Sequence, residues 1–218
     1  MPRPHRLLVP LLALALTLGT AGSAGAQATF IAFLTNDQEV PPAVPTLTTG
    51  ALRAISFGTA TFTLSPDASS LMFVATIHNV DVTGSQTVDV NDNLLAAHIH
   101  GSAAESAPTR PVVWGFFGTP FNDNNPTNVT LTPFATGVGG VFSGAWDLNE
   151  GQATTLTAQL PNIFAGRTYM NFHTTQFPGG EIRGALTLTP EPATVALLGS
   201  GLAGLALLGL RRRRDDAA

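Results

Sequence analysis

Four histidines lie in segments whose patterns predict β-strands, and these are the residues that most directly suggest chemistry. His98 and His100 are two residues apart, so in a strand both side chains point to one face of the sheet. His173 lies in a second predicted strand, and His78 lies in another. If these strands are neighbours, the imidazoles converge, and neutral imidazole suits copper or zinc. The sequence therefore predicts a metal site at His98, His100 and His173. His78 is predicted as an optional fourth ligand.

A second interpretation of the same segments needs no metal. Asn171 shares a strand face with His173, and Glu181 and Arg183 share a face of the next predicted strand. These four side chains could tie strands together as a polar hydrogen-bonded network. The residue types leave both interpretations open. No residue is predicted to be catalytic, because the chain has no cysteine and no serine occupies a nucleophile elbow.

Short segments rich in threonine, valine and phenylalanine, separated by turn residues, must position these side chains. No window between the two chain ends has sustained helical periodicity. The pattern predicts an all-β fold, a single antiparallel β-sandwich that is immunoglobulin-like or superoxide-dismutase-like. The predicted strands are Thr29–Thr35, Ala51–Phe57, Thr59–Leu64, Leu71–Val80, Leu94–His100, Val112–Phe117, Val141–Leu148, Ala153–Leu160, Thr168–Thr174 and Glu181–Leu188.

The first 26 residues have the pattern of a secretory signal peptide. A short basic region at Arg3, His5 and Arg6 precedes the apolar run Leu7–Leu18, and small residues follow as far as Ala26. This order predicts export and cleavage by signal peptidase after Ala26.

The C-terminal end has the pattern of a membrane-sorting tail. Pro190, Glu191 and Pro192 precede an uncharged apolar run over residues 193–210. The run is long enough for a transmembrane helix, and the arginines behind it are expected to stay in the cytoplasm. Those arginines are Arg211, Arg212, Arg213 and Arg214, and residues 215–218 form a short tail. The whole segment resembles the PEP-CTERM sorting signal of Gram-negative bacteria. The resemblance implies recognition by an exosortase; the helix is then either removed or kept as an anchor.

Residues 27–189 form one predicted domain with an acidic surface. They contain four arginines, no lysine and eleven acidic residues, a formal charge of −7. This charge argues against a nucleic-acid partner and is compatible with cation binding. Because the chain has no cysteine, packing must hold the domain together, and thiolate metal sites are excluded.

Four segments of this domain, taken in order, resemble the CHRD domain, a module repeated in chordin and also found in exported bacterial proteins. They are Leu34–Pro42 with Gly50 beyond it, Ala97–Gly101, Pro111–Val113, and Tyr169–Thr174 leading to Gly179–Gly184. The resemblance implies a β-sandwich-like fold and an extracytoplasmic role, and it implies no defined reaction. The His-x-His strand with a later histidine is also similar to the copper half of a copper/zinc superoxide dismutase. The chain lacks that enzyme's cysteine pair and shows no clear bridging histidine or zinc-ligand cluster.

The sequence thus predicts an exported module of the cell envelope, cell surface or extracellular space. It is expected to act by binding or as an extracellular matrix component, without enzymatic activity. Expected partners are signal peptidase and exosortase during sorting, the membrane through the C-terminal helix, and exopolysaccharide or other surface components. The alternative is a copper- or zinc-binding metalloprotein, in its furthest form a superoxide-dismutase-like oxidoreductase.

Overall fold

The computed structural model describes residues 27–102, 108–190, 199–202 and 204–205. Ten strands and the helix α1 (Leu156–Phe164) follow one another between Thr29 and Leu188. The strands are β1 (Thr29–Thr35), β2 (Phe57–Leu64), β3 (Ser70–His78), β4 (Leu94–Gly101), β5 (Val112–Phe117), β6 (Thr130–Pro133), β7 (Gly139–Asp147), β8 (Thr168–Thr174), β9 (Ile182–Ala185) and β10 (Thr187–Leu188).

All ten strands belong to one antiparallel sheet, in the order β5-β4-β8-β9-β1-β2-β3-β7-β6, with β10 also paired to β1. The sheet curls so that its two halves face each other. Phe73 of β3 contacts Trp114 of β5 with ring centroids 5.9 Å apart, and Phe142 of β7 lies 5.4 Å from Phe172 of β8. The antiparallel all-β prediction is confirmed. The sheet is continuous, however, and differs in this from the two separate sheets of the predicted sandwich.

The inner face of the curled sheet holds the hydrophobic core. Exposed and buried residues alternate along β2 and β3, as expected for strands with one face in water. Trp114 and Trp146 stack at the centre with centroids 5.6 Å apart, and both are fully buried. Burial of such large aromatic surfaces is the main force that closes the sheet on itself.

β8 departs from this alternation, because every one of its residues is buried. Met170 and Phe172 face the core, so Tyr169, Asn171 and His173 face the opposite, outer side. On β4, Ala97 and Ile99 face the core, so His98 and His100 also face outwards. Loops therefore cover the outer face here, and this covered region contains the predicted histidine site.

Two predicted strands are wrong. Ala153–Leu160 contains the start of α1 instead: the Thr155 side chain caps the helix by accepting a hydrogen bond from the Ala158 N–H, and Leu156 and Ile163 are buried. Ala51–Phe57 forms no strand before Phe57 and makes only an isolated bridge at Leu52. In that segment Arg53 and Ser56 bond to other side chains and to a loop carbonyl.

Two smaller differences concern short elements. The predicted strand Glu181–Leu188 is divided into β9 and β10, separated by the fully buried Leu186. The four-residue strand β6 was not predicted, because so short a segment has no clear alternation.

The targeting segments lie largely beyond the residues that the structure describes. This applies to the predicted signal peptide (1–26), most of the predicted transmembrane helix (193–210), Arg211 to Arg214 and the tail (215–218). Among the described residues, no helix has the length and apolar character needed to cross a membrane. Every described strand lies within residues 27–189, so a fragment with these bounds contains the whole described sheet.

Candidate metal centre

The pairing of β4 with β8 brings three histidines together. His98 is opposite Asn171, and Ala96 is opposite His173, so the two histidines lie diagonally across the strand pair. The ring centroids of His98 and His173 are 4.8 Å apart, and His100 lies 5.8 Å and 5.7 Å from them. One ring nitrogen from each of the three lies within 4.8 Å of the other two. All three side chains are at least nine-tenths buried.

Each ring is held by one backbone carbonyl. His98 Nε2 lies 3.1 Å from the Thr119 oxygen, His100 Nδ1 lies 2.7 Å from the Arg110 oxygen, and His173 Nδ1 lies 3.0 Å from the Pro178 oxygen. A carbonyl oxygen only accepts, so each of these nitrogens must carry the hydrogen. The lone pairs of the neutral rings are therefore on His98 Nδ1, His100 Nε2 and His173 Nε2. A backbone carbonyl that fixes the tautomer in this way is a usual support of a metal-binding histidine.

The three lone pairs are left without ordinary partners. His98 Nδ1 and His173 Nε2 face each other at 3.1 Å, although both are acceptors in the neutral rings. His100 Nε2 is buried and has no hydrogen-bond partner. A proton between the first two nitrogens would make one ring cationic, which burial disfavours. Burial lowers the pKa of His98 to about 3 and that of His100 to about 4, and it also lowers the pKa of His173. The arrangement is thus suited to a cation other than the proton.

Close packing of loops on the sheet places two of the three carbonyls. A Cβ on Gly115 would lie 1.9 Å from the Pro120 oxygen and 3.1 Å from His98 Cδ2, so only glycine lets the loop with Thr119 approach His98. The Pro178 carbonyl belongs to a tight turn in which the Gly180 N–H donates to Phe177 O at 3.0 Å. These carbonyls were not predicted, because every residue type carries one.

The structure does not bring His78 to this cluster. Its ring stacks on Phe57 at 4.7 Å and contacts Phe134 at 5.0 Å. It ends β3, which pairs with β2 and β7, whereas the other three histidines lie on β4 and β8. The strand pairing therefore does not support His78 as the optional fourth ligand, because sequence alone does not show which strands become neighbours.

The side chains of the predicted polar network do not form one network, because Glu181 and Arg183 bond to different partners. Glu181 is fully buried and accepts hydrogen bonds from Arg53 Nη2 at 2.5 Å, from Thr174 Oγ1 at 2.5 Å and from Ser56 Oγ. None of these partners was predicted. Arg183 instead donates to the carbonyls of Gln38 and Pro108.

Asn171 belongs to neither group. Its Oδ1 is buried without a hydrogen-bond partner. Glu39 Oε1, which is also buried without a partner, lies near it across Gly180. Burial raises the pKa of Glu39 to about 7, against the opposing charge of Arg183.

The comparisons with known proteins assign the family. Residues 30–186 match the CHRD domain, and residues 188–214 match the PEP-CTERM protein-sorting motif. No curated protein and no solved structure matches the chain significantly. The sorting motif indicates export to the cell envelope or surface and processing by an exosortase. The CHRD and PEP-CTERM resemblances seen in the sequence are confirmed, and the chain belongs to the CHRD domain family, with a PEP-CTERM sorting motif at its C-terminal end.

Proposed function

We propose that this exported domain binds a single copper or zinc ion through His98, His100 and His173. The observation that carries the proposal is the convergence of three buried lone pairs whose tautomers are fixed by three backbone carbonyls. A domain of this kind, sorted to the envelope, would hold the metal at the cell surface or in the extracellular matrix.

The spacing of the nitrogens is close to what a shared ion needs. Three nitrogens at 2.0–2.1 Å from a tetrahedral ion lie about 3.3 Å from one another. His98 Nδ1 and His173 Nε2 are already 3.1 Å apart, and one ring nitrogen from each of the three histidines lies within 4.8 Å of the other two. A shift of the His100 ring towards the other two rings would complete the set. The formal charge of −7 over residues 27–189 favours the approach of a cation.

A purely structural role fits the same geometry less well. Without a cation, two acceptors oppose each other and the His100 Nε2 atom stays buried and unpaired. A buried polar atom without a partner costs about 1–3 kcal/mol. One metal ion satisfies all three nitrogens at once.

Binding, rather than turnover, is the activity that this geometry supports. The superoxide-dismutase-like alternative would need a redox-active metal and a path for its substrate. The three buried histidines are sufficient to hold an ion, whereas turnover needs these additional features. The proposed activity of the module is therefore metal binding at the envelope.

Metal titration of the 27–189 fragment tests the proposal. The metal-free wild type should bind one copper or zinc ion per chain at micromolar concentration. His100→Ala should weaken the affinity by more than about 100-fold, because loss of a group that only hydrogen-bonds to a metal ligand already costs about 10–100-fold. His78→Ala is the matched control and should leave binding unchanged. The proposal fails if the wild type takes up neither metal, or if the two variants behave alike while their circular dichroism stays that of the wild type.

A further inference from the structure

A cavity opens beside Tyr169, on the outer face of the sheet that also carries the three histidines. Its volume is about 220 Å³, and its walls are Gln38, Pro108, Arg110, Tyr169, Arg183 and Ala185. None of these wall residues is acidic. Because a water molecule occupies about 30 Å³ of the liquid, the cavity has room for a small ion or for the charged end of a larger ligand.

Backbone contacts hold the basic wall of this cavity in place. Arg183 donates from Nη1 to the Pro108 oxygen at 2.8 Å and from Nε to the Gln38 oxygen. Its guanidinium carbon lies 4.9 Å from the centre of the Tyr169 ring. The Arg110 N–H donates to the Tyr169 hydroxyl at 3.2 Å, which ties the second arginine to the same ring. The Arg183 side chain is thus pre-organised, which lowers the entropic cost of binding a ligand.

The charge of this cavity is opposite to that of the domain around it. Two of the four arginines in residues 27–189 meet here, although the segment carries a formal charge of −7. Among the described residues, Glu39 is an acidic neighbour of Arg183, with its Oε2 3.9 Å from Arg183 Nε. Burial raises the pKa of Glu39 to about 7, so near neutral pH its charge offsets that of Arg183 only in part.

We infer that this cavity binds an oxyanion, the carboxylate, phosphate or sulfate group of a small ligand, between Arg110 and Arg183. Arg183 Nε and Nη1 already donate to carbonyls, which aims the remaining Nη2 donors for an oxyanion, and charge-assisted hydrogen bonds from a guanidinium are about twice as strong as neutral ones. Tyr169 separates this site from the histidines. Its ring stacks on the His100 ring, with the centroids 4.9 Å and the ring planes 5° apart. The inference does not depend on metal binding.

The only tyrosine of the chain gives a specific probe of the cavity. The 27–189 fragment, which contains every described strand, is labelled with ¹³C-tyrosine and kept metal-free with EDTA. Acetate, sulfate and inorganic phosphate are titrated separately, with chloride as the reference anion. At least one of the three should shift the Tyr169 signal saturably, and chloride should not. Response to acetate alone would identify a carboxylate site, and response to sulfate or phosphate a site for tetrahedral oxyanions.

Two variants separate binding in the cavity from a general effect of charge. Arg110→Gln should weaken binding of the responding anion by at least about tenfold, because it removes a guanidinium that would make charge-assisted hydrogen bonds to the anion. Arg167→Gln removes the same charge outside the cavity walls and should leave the titration unchanged. The inference is overturned if no oxyanion shifts the Tyr169 signal saturably, or if both variants weaken the response equally. Because metal is absent throughout, neither outcome depends on the proposed metal site.

Discussion

Lowering the pH from 7.5 to 5.5 should destabilise the metal-free domain through its buried histidines. In the unfolded chain histidine titrates near its ordinary pKa of about 6.5. In the folded domain the pKa is about 3 for His98 and about 4 for His100. At pH 5.5 the unfolded state therefore takes up protons that the folded state does not, and unfolding becomes more favourable. The stability that the neutral buried histidines contribute is present above pH 6.5 and is lost as the pH falls towards their pKa values in the folded domain.

The expected loss follows from the size of the shift. At one pH unit below the pKa of the unfolded chain, each histidine lowers the free energy of unfolding by about 1.4 kcal/mol. His98 and His100 together therefore lower it by about 3 kcal/mol at pH 5.5. His173 changes the stability in the same direction, because burial lowers its pKa too.

Glu39 opposes this trend and must be removed before the loss can be measured. Its folded pKa is about 7, so at pH 5.5 it keeps its proton in the folded state while the unfolded chain releases it. The stability that Glu39 contributes is present at low pH and is lost as the pH rises through 7. Between pH 5.5 and 7.5 it changes the free energy of unfolding by about 2 kcal/mol. The substitution Glu39→Gln eliminates it.

Urea unfolding of the Glu39→Gln fragment in EDTA, at both pH values, measures the effect. We expect the free energy of unfolding to fall by at least about 3 kcal/mol between pH 7.5 and 5.5. Adding His100→Gln should reduce that fall by about 1.4 kcal/mol. Other carboxyl groups titrate alike in both proteins, so the difference isolates His100. A fall below about 1 kcal/mol, or no difference between the two proteins, would refute the buried neutral state of these rings.

Three other predictions concern the supporting structure and the sorting tail. Arg53→Met leaves the buried Glu181 carboxylate without its ion-pair partner and should lower the free energy of urea unfolding by about 3–5 kcal/mol; a loss below about 1 kcal/mol would contradict this role. Gly180→Ala should cost about 1–3 kcal/mol in the same assay, because φ is +131° and the new Cβ would lie 2.6 Å from side-chain atoms. Gly179→Ala has open space around it and should cost less than about 0.5 kcal/mol, so equal losses would contradict the packing argument. Replacement of Pro190, Glu191 and Pro192 by alanine should retain the protein in the inner membrane on cell fractionation, and unchanged surface release would contradict exosortase processing.

Local sequence patterns were sufficient to predict many of the strands. The bounds of Thr29–Thr35, Val112–Phe117 and Thr168–Thr174 are as predicted, because each segment is rich in strand-forming residues and is bounded by turns. The shared face of His98 and His100 also follows from the two-residue period of a strand. The start of α1 was predicted as a strand, because only nine residues are helical and threonines flank the first apolar positions of the segment.

The order of the strands could not be predicted from local patterns, and the candidate site depends on it. The sheet places β4 beside β8, some 70 residues later in the chain, and puts β3 with His78 in the other half. The pairing of Arg53 with Glu181 spans 128 residues. The carbonyls that orient the histidines come from loops, and carbonyl position depends on loop conformation rather than on residue type.

A crystal structure of the 27–189 fragment grown with zinc, with anomalous data collected on both sides of the zinc absorption edge, tests the central claim most directly. We expect one strong anomalous peak within about 2.0–2.1 Å of His98 Nδ1, His100 Nε2 and His173 Nε2, the zinc–nitrogen distance. The Thr119, Arg110 and Pro178 carbonyls should still accept hydrogen bonds from the other nitrogen of each ring. A fully occupied zinc elsewhere, with none between the three rings, would contradict the account.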